Sequence, residues 1–162
     1  MSKDNIVFAS SPFSYQGWTS FFEEFSRVYE YINSLFDTPK SIELRYINAF
    51  KEINIFNKLK LNIDFAGQSL IDGHLNISWI SESADSSTGA LVKVLNNTRF
   101  SCKSAVCTGS IIDITIALPE ETNICKDDVM ELLKKQHLHA KQVFFDLFTE
   151  ESVEKLLKPI TE

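Results

Sequence analysis

Glycine and proline are scarce in this chain. Its 162 residues include five glycines and four prolines, whereas 44% are hydrophobic and thirteen are phenylalanine. Disordered and linker-like chains are rich in glycine and proline and poor in aromatic residues, so the composition excludes both classes. A chain of this length buries roughly two-thirds of the surface that its unfolded form exposes. We therefore expect residues 1–162 to form one folded domain.

Positive charge is also in short supply. The chain has 16 Lys and Arg against 22 Asp and Glu, a formal net charge of -6, and no segment concentrates the basic residues. Proteins that bind DNA or RNA displace counterions with clustered lysine and arginine side chains. The charge pattern therefore predicts no nucleic-acid partner.

Long apolar runs are absent, and cysteines are few. No segment approaches the roughly 20 apolar residues of a membrane span, and the residues after Met1 do not resemble a secretory signal. These features predict a cytoplasmic protein with no membrane partner. The three cysteines, Cys102, Cys107 and Cys125, are then expected to be reduced and free of metal, since cytosolic thiols are kept reduced.

Helical spacing of apolar residues indicates two long helices and one short helix. The predicted helices cover 20–36, 126–148 and 150–157. Ser20 and Glu23 match a capping box at the start of the first helix. Thr149 is placed to cap the last helix through its side-chain oxygen.

Alternation of apolar and polar residues predicts the strands. They cover 5–10, 41–50, 58–65, 74–80, 90–95, 98–103 and 110–118. Asn96-Asn97 is a natural hairpin turn, and the spacing in 58–65 also permits a helical turn. Because helices flank a block of strands with short connections, we predict an α+β fold. It would be a mainly antiparallel sheet of five to six strands, with both long helices packed on one face.

Catalytic motifs are not recognisable. The chain has no glycine-rich phosphate loop, no G-x-S-x-G and no H-E-x-x-H. His137 and His139 are two residues apart on a predicted helix, so their side chains diverge and do not share a metal. A catalytic cysteine–histidine pair stays open, because such partners meet in space rather than in sequence. We predict no catalytic residue, metal or cofactor; the enzyme question stays open, with a non-enzymatic role favoured.

Polar residues interrupt two of the predicted strands. Asp113 lies within an isoleucine run, and Arg45 lies at the centre of the 41–50 strand, two residues after Glu43. We predict that Arg45 is paired with a carboxylate, either Asp113 or Glu43. The candidate ligand-binding residues are Arg45, Tyr46, Asn48 and Asp113. A solvated sheet face would explain the same pattern without any function.

Several segments together resemble a sporadically distributed family of uncharacterised bacterial proteins with an "LRYIN" hallmark strand. The segments are Tyr15-x-Gly17-Trp18-x-x-Phe21, Leu44-Arg45-Tyr46-Ile47-Asn48, Ile111-Ile112-Asp113-Ile114, His139 with Phe145, and Phe148-Thr149-Glu150. The resemblance spans about Ile6 to Leu157 and implies a fold and a bacterial origin, but no activity. Thr115 replaces the family's second acidic residue. The family's N-terminal region is missing, so a fragment, a split protein and a short variant are three interpretations.

The sequence leaves three functional hypotheses. The first is a non-enzymatic protein-interaction or accessory module of a bacterial cell, because catalytic motifs are absent from an acidic, aromatic-rich chain. The second is a small-molecule-binding domain with a cleft between the sheet and the C-terminal helix, where Arg45, Asn48 and Asp113 would orient the ligand. The third is a hydrolase that uses these same residues.

A protein partner is also suggested by the expected pattern of the strands. Residues that alternate with the predicted core would form an apolar strip on the sheet face away from the helices: Leu91, Leu95, Ile111 and Ala117. Exposed strips of this kind usually mark interfaces, and two-fold dimers are the commonest arrangement. We therefore predict a homodimer, or a heterodimer with a chain that supplies the missing N-terminal region.

Overall fold

The computed structural model describes residues 6–11, 14–35, 38–61, 63–70, 73–84, 86–102, 105–119 and 122–156. Its helices are α1 (Trp18–Ile32), α2 (Val129–Asp146) and α3 (Glu150–Leu156), with 3-10 turns at Ile55–Lys58 and Lys126–Asp128. Its strands are β1 (Glu43–Lys51), β2 (Asp64–Phe65), β3 (Gln68–Ser69), β4 (Asn76–Glu82), β5 (Gly89–Cys102) and β6 (Ala105–Ala117). None of the helices in these ranges is long and apolar enough to cross a membrane.

Four strands form one antiparallel sheet in the order β1-β6-β5-β4, and β2 with β3 makes a separate two-stranded ribbon. The α+β class and the antiparallel sheet are confirmed. The main sheet has four strands rather than five to six. The described residues of the predicted strands 5–10 and 58–65 do not join it, and the predicted strands 90–95 and 98–103 form one strand. The long β5–β6 hairpin is the centre of the sheet, and β1 and β4 are its edges.

The predicted hairpin turn at Asn96-Asn97 is wrong. These residues form an irregularity within β5, where the pairing with β6 shifts between Leu95 and Thr98. Asn97 adopts a positive φ of 51°, which asparagine tolerates better than most residues. Asn96 is buried and accepts a hydrogen bond of 2.9 Å from Ser110 Oγ. Because β6 pairs with both halves, the predicted strands 90–95 and 98–103 belong to one strand.

The predicted strand over 58–65 is wrong except for its last two residues, Asp64–Phe65, which form β2. The segment begins with the 3-10 turn Ile55–Lys58, in which the Asn54 side chain accepts a hydrogen bond of 3.1 Å from the Phe56 N–H. Leu59 then makes a single β-bridge to Phe148. Ile55 and Phe56 are 0% and 1% exposed, so burial of this turn under the sheet outweighs the alternation that follows it.

The two long helices do not share one sheet face, contrary to the prediction. Helix α2 packs across β6, β1 and β5, whereas α1 packs on the beginning of α2. Tyr29 donates a hydrogen bond of 3.2 Å to the Lys126 carbonyl, and the Trp18 ring stacks on His137 at 4.1 Å. Helix α1 therefore covers the end of the sheet and the first part of α2.

The N-terminal predictions need two corrections. Residues 6–10 of the predicted 5–10 strand have no regular structure, and residue 5 lies outside the described residues. Instead, the Phe8 ring lies 5.2 Å from Phe21 in α1. The capping box is absent as well, because α1 begins at Trp18 after Gly17, and no side chain caps it. At the other end of the chain, Thr149 does cap α3, accepting a bond of 3.3 Å from the Ser152 N–H.

The core is divided into two parts. The larger lies between the sheet and α2, and its fully buried strand residues alternate as predicted: Val92, Val94, Ile112, Ile114 and Ile116, each 0% exposed. The smaller joins α1 to α2 and is built on Ile124, Val129 and Leu133. We call the side of the sheet that α2 covers the inner face and the other side the outer face.

The expectation of three reduced cysteines is contradicted. Cys102 and Cys107 form a disulfide near the end of the β5–β6 hairpin, with their Cα atoms 5.9 Å apart. Cys125 is a free, exposed cysteine. The two paired residues are five positions apart in sequence, but the antiparallel hairpin places them on adjacent strands.

Candidate functional site

Arg45 and Asp113 form an ion pair on the outer face. Arg45 Nε lies 2.8 Å from Asp113 Oδ1, and Arg45 Nη2 lies 2.6 Å from Oδ2. The pair runs diagonally between β1 and β6, since Arg45 is opposite Thr115 and Asp113 is opposite Ile47. The predicted pairing is confirmed, with Asp113 rather than Glu43 as the partner. The hydrogen bonds to Asp113 raise the pKa of Arg45 above its ordinary value.

The four candidate ligand-binding residues do not meet in one place. Arg45 and Asp113 lie on the outer face, whereas Tyr46 and Asn48 alternate with Arg45 along β1 and so lie on the inner face. Successive side chains of a strand point to opposite sides of a sheet, which separates neighbours in sequence. The two pairs would therefore have to act at separate sites.

Tyr46 belongs to an aromatic and polar cluster that the sequence did not indicate. Its hydroxyl lies 2.8 Å from His137 Nδ1, and it is hydrogen-bonded to Tyr15. The His137 ring is stacked on Trp18, with the ring planes 5° apart. Trp18 is the first residue of α1, Tyr15 lies three residues before it, and His137 comes from α2. The cluster therefore exists only because α1 packs on α2 beside β1.

The protonation states in this cluster follow from burial. Burial raises the pKa of Tyr46 far above its ordinary value, so its phenol keeps its proton. Burial, with a smaller effect of Lys141, lowers the pKa of His137. A neutral imidazole and a protonated phenol can each donate or accept, so one hydrogen bond joins Tyr46 to His137 in either imidazole tautomer. The arrangement is a hydrogen-bonded anchor between β1 and α2.

The Arg45–Asp113 pair is expected to contribute modestly to stability. The Arg45 side chain is 57% exposed, whereas that of Asp113 is 11% exposed. Exposed ion pairs contribute about 0–1 kcal/mol, well below the roughly 3–5 kcal/mol lost on breaking a buried pair. Arg45→Ala should therefore lower the free energy of unfolding by about 1 kcal/mol in urea denaturation. Arg99→Ala, another exposed strand arginine, is the matched control; a loss several times larger would contradict the geometry.

The low pKa of His137 predicts a dependence of stability on pH. Unfolded His137 titrates near its ordinary pKa of 6.5, whereas the folded imidazole resists protonation. As the pH falls, the unfolded chain therefore binds the extra proton first. The contribution of His137 to the free energy of unfolding is complete above pH 6.5 and falls as the pH drops below it. When the pH is lowered from about 7.5 to about 5.5, the melting temperature of His137→Gln should fall by less than that of the wild type. His74→Gln, at an exposed histidine, should keep the wild-type dependence.

A small cavity lies between the end of the sheet and α2. It measures about 190 Å³ and is lined by Ser87, Thr88, Leu118, Pro119, Thr122, Leu132 and Lys135. Thr88 Oγ1 lies 2.7 Å from His139 Nδ1, and both residues are buried. Pockets for drug-sized ligands measure roughly 300–1,000 Å³, so this one suits only a small molecule. None of the four candidate ligand-binding residues lines it.

The two α2 histidines have different partners, which confirms that their side chains diverge. His137 bonds to Tyr46 and His139 bonds to Thr88. Within the part of the chain that the structure describes, no three His, Cys, Asp or Glu side chains are grouped closely enough to hold a metal. His137 belongs to the aromatic cluster, whereas the partner of His139, Thr88, lines the cavity. The cavity and the cluster are therefore separate features on opposite sides of α2.

The outer face of the sheet is apolar around the ion pair. Ile80 and Ile47 are 77% and 58% exposed, respectively. Four half-buried apolar residues lie between or beside them: Leu91, Leu95, Ile111 and Ala117. Lys93 is exposed and lies directly opposite Asp113 on the neighbouring strand. The strip predicted from the alternation thus has the predicted orientation, with charged residues at its centre.

No protein-family model matches the chain, and no curated protein or solved structure is similar enough to match it. The resemblance to the bacterial family with the LRYIN strand therefore stays a prediction. The segment that carries it, Leu44 to Asn48, is the middle of edge strand β1. It holds Arg45 on one face and Tyr46 on the other.

Proposed function

We propose that this chain is a non-enzymatic protein-binding module, and that the outer face of its sheet is the binding surface. The supporting observation is the exposure of large apolar side chains there, led by Ile80 at 77% and Ile47 at 58%. Contiguous exposed apolar patches with a polar rim are typical of interaction sites. A partner that covers this face would remove both isoleucines from water.

The charges on this face favour a partner that carries a carboxylate within an apolar surface. Arg45 uses Nε and Nη2 for Asp113, which leaves the other guanidinium nitrogen for a partner. With Lys93 opposite the same aspartate, the centre of the face has two cations and one carboxylate. A chain with a net charge of -6 thus offers a locally positive centre. Such a centre selects acidic partners.

The test is capture of partners from lysate of the host cell with three immobilised proteins. They are the wild type, Ile80→Asp on the outer face, and Leu138→Asp on α2, where Leu138 is 64% exposed. We expect a protein that is retained by the wild type and Leu138→Asp but lost with Ile80→Asp. Identical captures by all three proteins, or none above the blank resin, would refute this use of the outer face.

A small-molecule-binding role is the second candidate. The observation that favours it is the cavity of about 190 Å³ beside α2, close to the cleft expected from the sequence. Three of its seven lining residues are apolar and four are polar, among them Thr88 and Lys135, so it suits a small acid with an apolar part. Thermal shifts produced by such acids in the wild type, but not in Leu132→Trp, would support this role.

The cellular setting is also a proposal. We propose an accessory role in the cytoplasm of a bacterium that has proteins with the LRYIN strand. Cytosolic thiols are kept reduced, so the state of Cys102 and Cys107 bears on the compartment. The structure joins these two residues in a disulfide. If the pair resists an alkylating reagent in freshly broken host cells, the proposed cytoplasmic location is wrong.

A further inference from the structure

Strand β1 is an edge of the sheet and is long enough to accept another strand. It has nine residues and pairs with β6 on one side. In the described ranges no strand pairs with its other side. Alternate residues of an edge strand direct their N–H and C=O groups away from the sheet, where they are a template for another strand.

The sequence of β1 is complementary to itself in the antiparallel direction. When two copies are aligned about Ile47, Glu43 of each copy lies opposite Lys51 of the other, and Ile47 lies opposite itself. All three residues are exposed on the outer face. Opposite charges that face each other across a strand pair stabilise it, and the alignment contains two such pairs.

The other positions agree with this alignment. On the inner face, Leu44 lies opposite Phe50 and Tyr46 lies opposite Asn48, so apolar residues meet apolar ones and polar residues meet polar ones. On the outer face, Arg45 lies opposite the small Ala49, which leaves its bond to Asp113 undisturbed.

Other alignments of β1 with itself are poorer. Moving the centre from Ile47 to Asn48 places Arg45 opposite Lys51, two like charges that repel. Moving it to Tyr46 leaves Lys51 without an opposite residue and removes both ion pairs. Only the alignment about Ile47 pairs all nine residues and joins both charged ends.

We propose that two copies of this chain associate through their β1 edges, antiparallel and two-fold about Ile47, to form one continuous eight-stranded sheet. The surface used is the edge of the sheet rather than its outer face. The proposal therefore does not depend on the proposed function, and it leaves the outer faces of both copies open side by side. A two-fold arrangement is the usual one for a self-complementary surface.

Exchange of the charges at the two ends of β1 tests the alignment. Glu43→Lys and Lys51→Glu each place like charges opposite one another at both ends of the strand pair. Each variant alone should dimerise about tenfold more weakly, since two attractive pairs become repulsive. Mixed in equal amounts, the two variants should form a heterodimer of wild-type affinity, because both ends are again opposite in charge.

The measurement is sedimentation velocity at low salt, with a mass tag on one variant so that native mass spectrometry identifies the heterodimer. Glu82→Lys, a charge reversal on the other edge strand, is the control and should dimerise like the wild type. A wild type that stays an 18.5 kDa monomer at about 100 μM would overturn the proposal. Single variants that dimerise as the wild type does, or a mixture that does not recover, would also overturn it.

Cross-linking places the two-fold axis. In a Cys125→Ser background, Ile47→Cys should form a disulfide-linked dimer on mild oxidation, because residues directly opposite have Cβ atoms about 4.5–5.5 Å apart. Ala49→Cys should not, because its copy lies four residues away along the strand, at about 13 Å. The reverse result would overturn the alignment. If the wild type is a monomer and Ile80→Asp still abolishes capture of the partner protein, the edge pairing is wrong and the proposed binding function of the outer face stands.

Discussion

Gly109→Ala should unfold more readily than the wild type by about 3 kcal/mol, at the upper end of the usual cost of overpacking. A Cβ atom at this position would lie 2.0 Å from the Phe50 carbonyl oxygen and 3.0 Å from the Glu52 N–H nitrogen. Both neighbours are backbone atoms, so neither can rotate away as a side chain would. Relief requires β1 to move from β6 where Lys51 pairs with Gly109. Urea denaturation followed by circular dichroism measures the loss.

Gly89→Ala is the matched control for this change. Gly89 also lies in the main sheet, opposite Ala117, but nothing lies within 4 Å of a Cβ added there. Alanine restricts the unfolded chain more than glycine does, so this variant should be as stable as the wild type or slightly more stable. Equal losses in the two variants would mean that β1 does not approach Gly109 closely.

Phe148→Ala should cost about 3–5 kcal/mol, the usual result of emptying a buried phenylalanine site. The Phe148 ring is 1% exposed and lies 5.0 Å from Phe144 and 6.3 Å from Phe50 in β1. Its backbone also bridges Leu59 in the segment after β1. The substitution would leave a cavity where the end of α2, the sheet and this segment meet. Chemical denaturation measures the free energy lost.

Phe145→Ala makes the matched comparison three residues earlier. Phe145 lies in the last turn of α2 and is 39% exposed, so its removal opens no enclosed cavity. Its loss should cost less than about 1 kcal/mol, because a partly exposed ring gives up less transfer free energy. If Phe145→Ala proved the more destabilising of the two, the packing of the chain after α2 would be wrong.

The sequence was most informative where one local pattern coincided with one buried face. The alternation of Ile112, Ile114 and Ile116 predicted a strand, and all three residues are fully buried in β6. The helical spacing over 126–148 likewise predicted a helix, and α2 covers Val129–Asp146. Burial of one face is a local property of a helix or strand, so it leaves a periodic trace in the sequence.

Predictions failed where a local pattern suited two structures. Asn96-Asn97 suits a hairpin turn and also an irregularity within a strand, and the pairing of β6 with both sides decided for the second. The alternation of Leu59 and Leu61 was not evidence of sheet pairing, because Leu59 is drawn into the core by its bridge to Phe148. In both cases the deciding partner is distant in sequence.

The candidate site divides in the same way. The sequence alone determined the order of the main strands and helices along the chain, the carboxylate partner of Arg45 as one of two residues, and the apolar strip on the outer face. Tertiary structure alone decided that Asp113 is that partner, and that Tyr46 meets His137, 91 residues later, beside Trp18. Alternation and helical spacing are set by neighbouring residues, whereas these contacts depend on how separate elements pack. A single sequence carries no periodic signal of that packing.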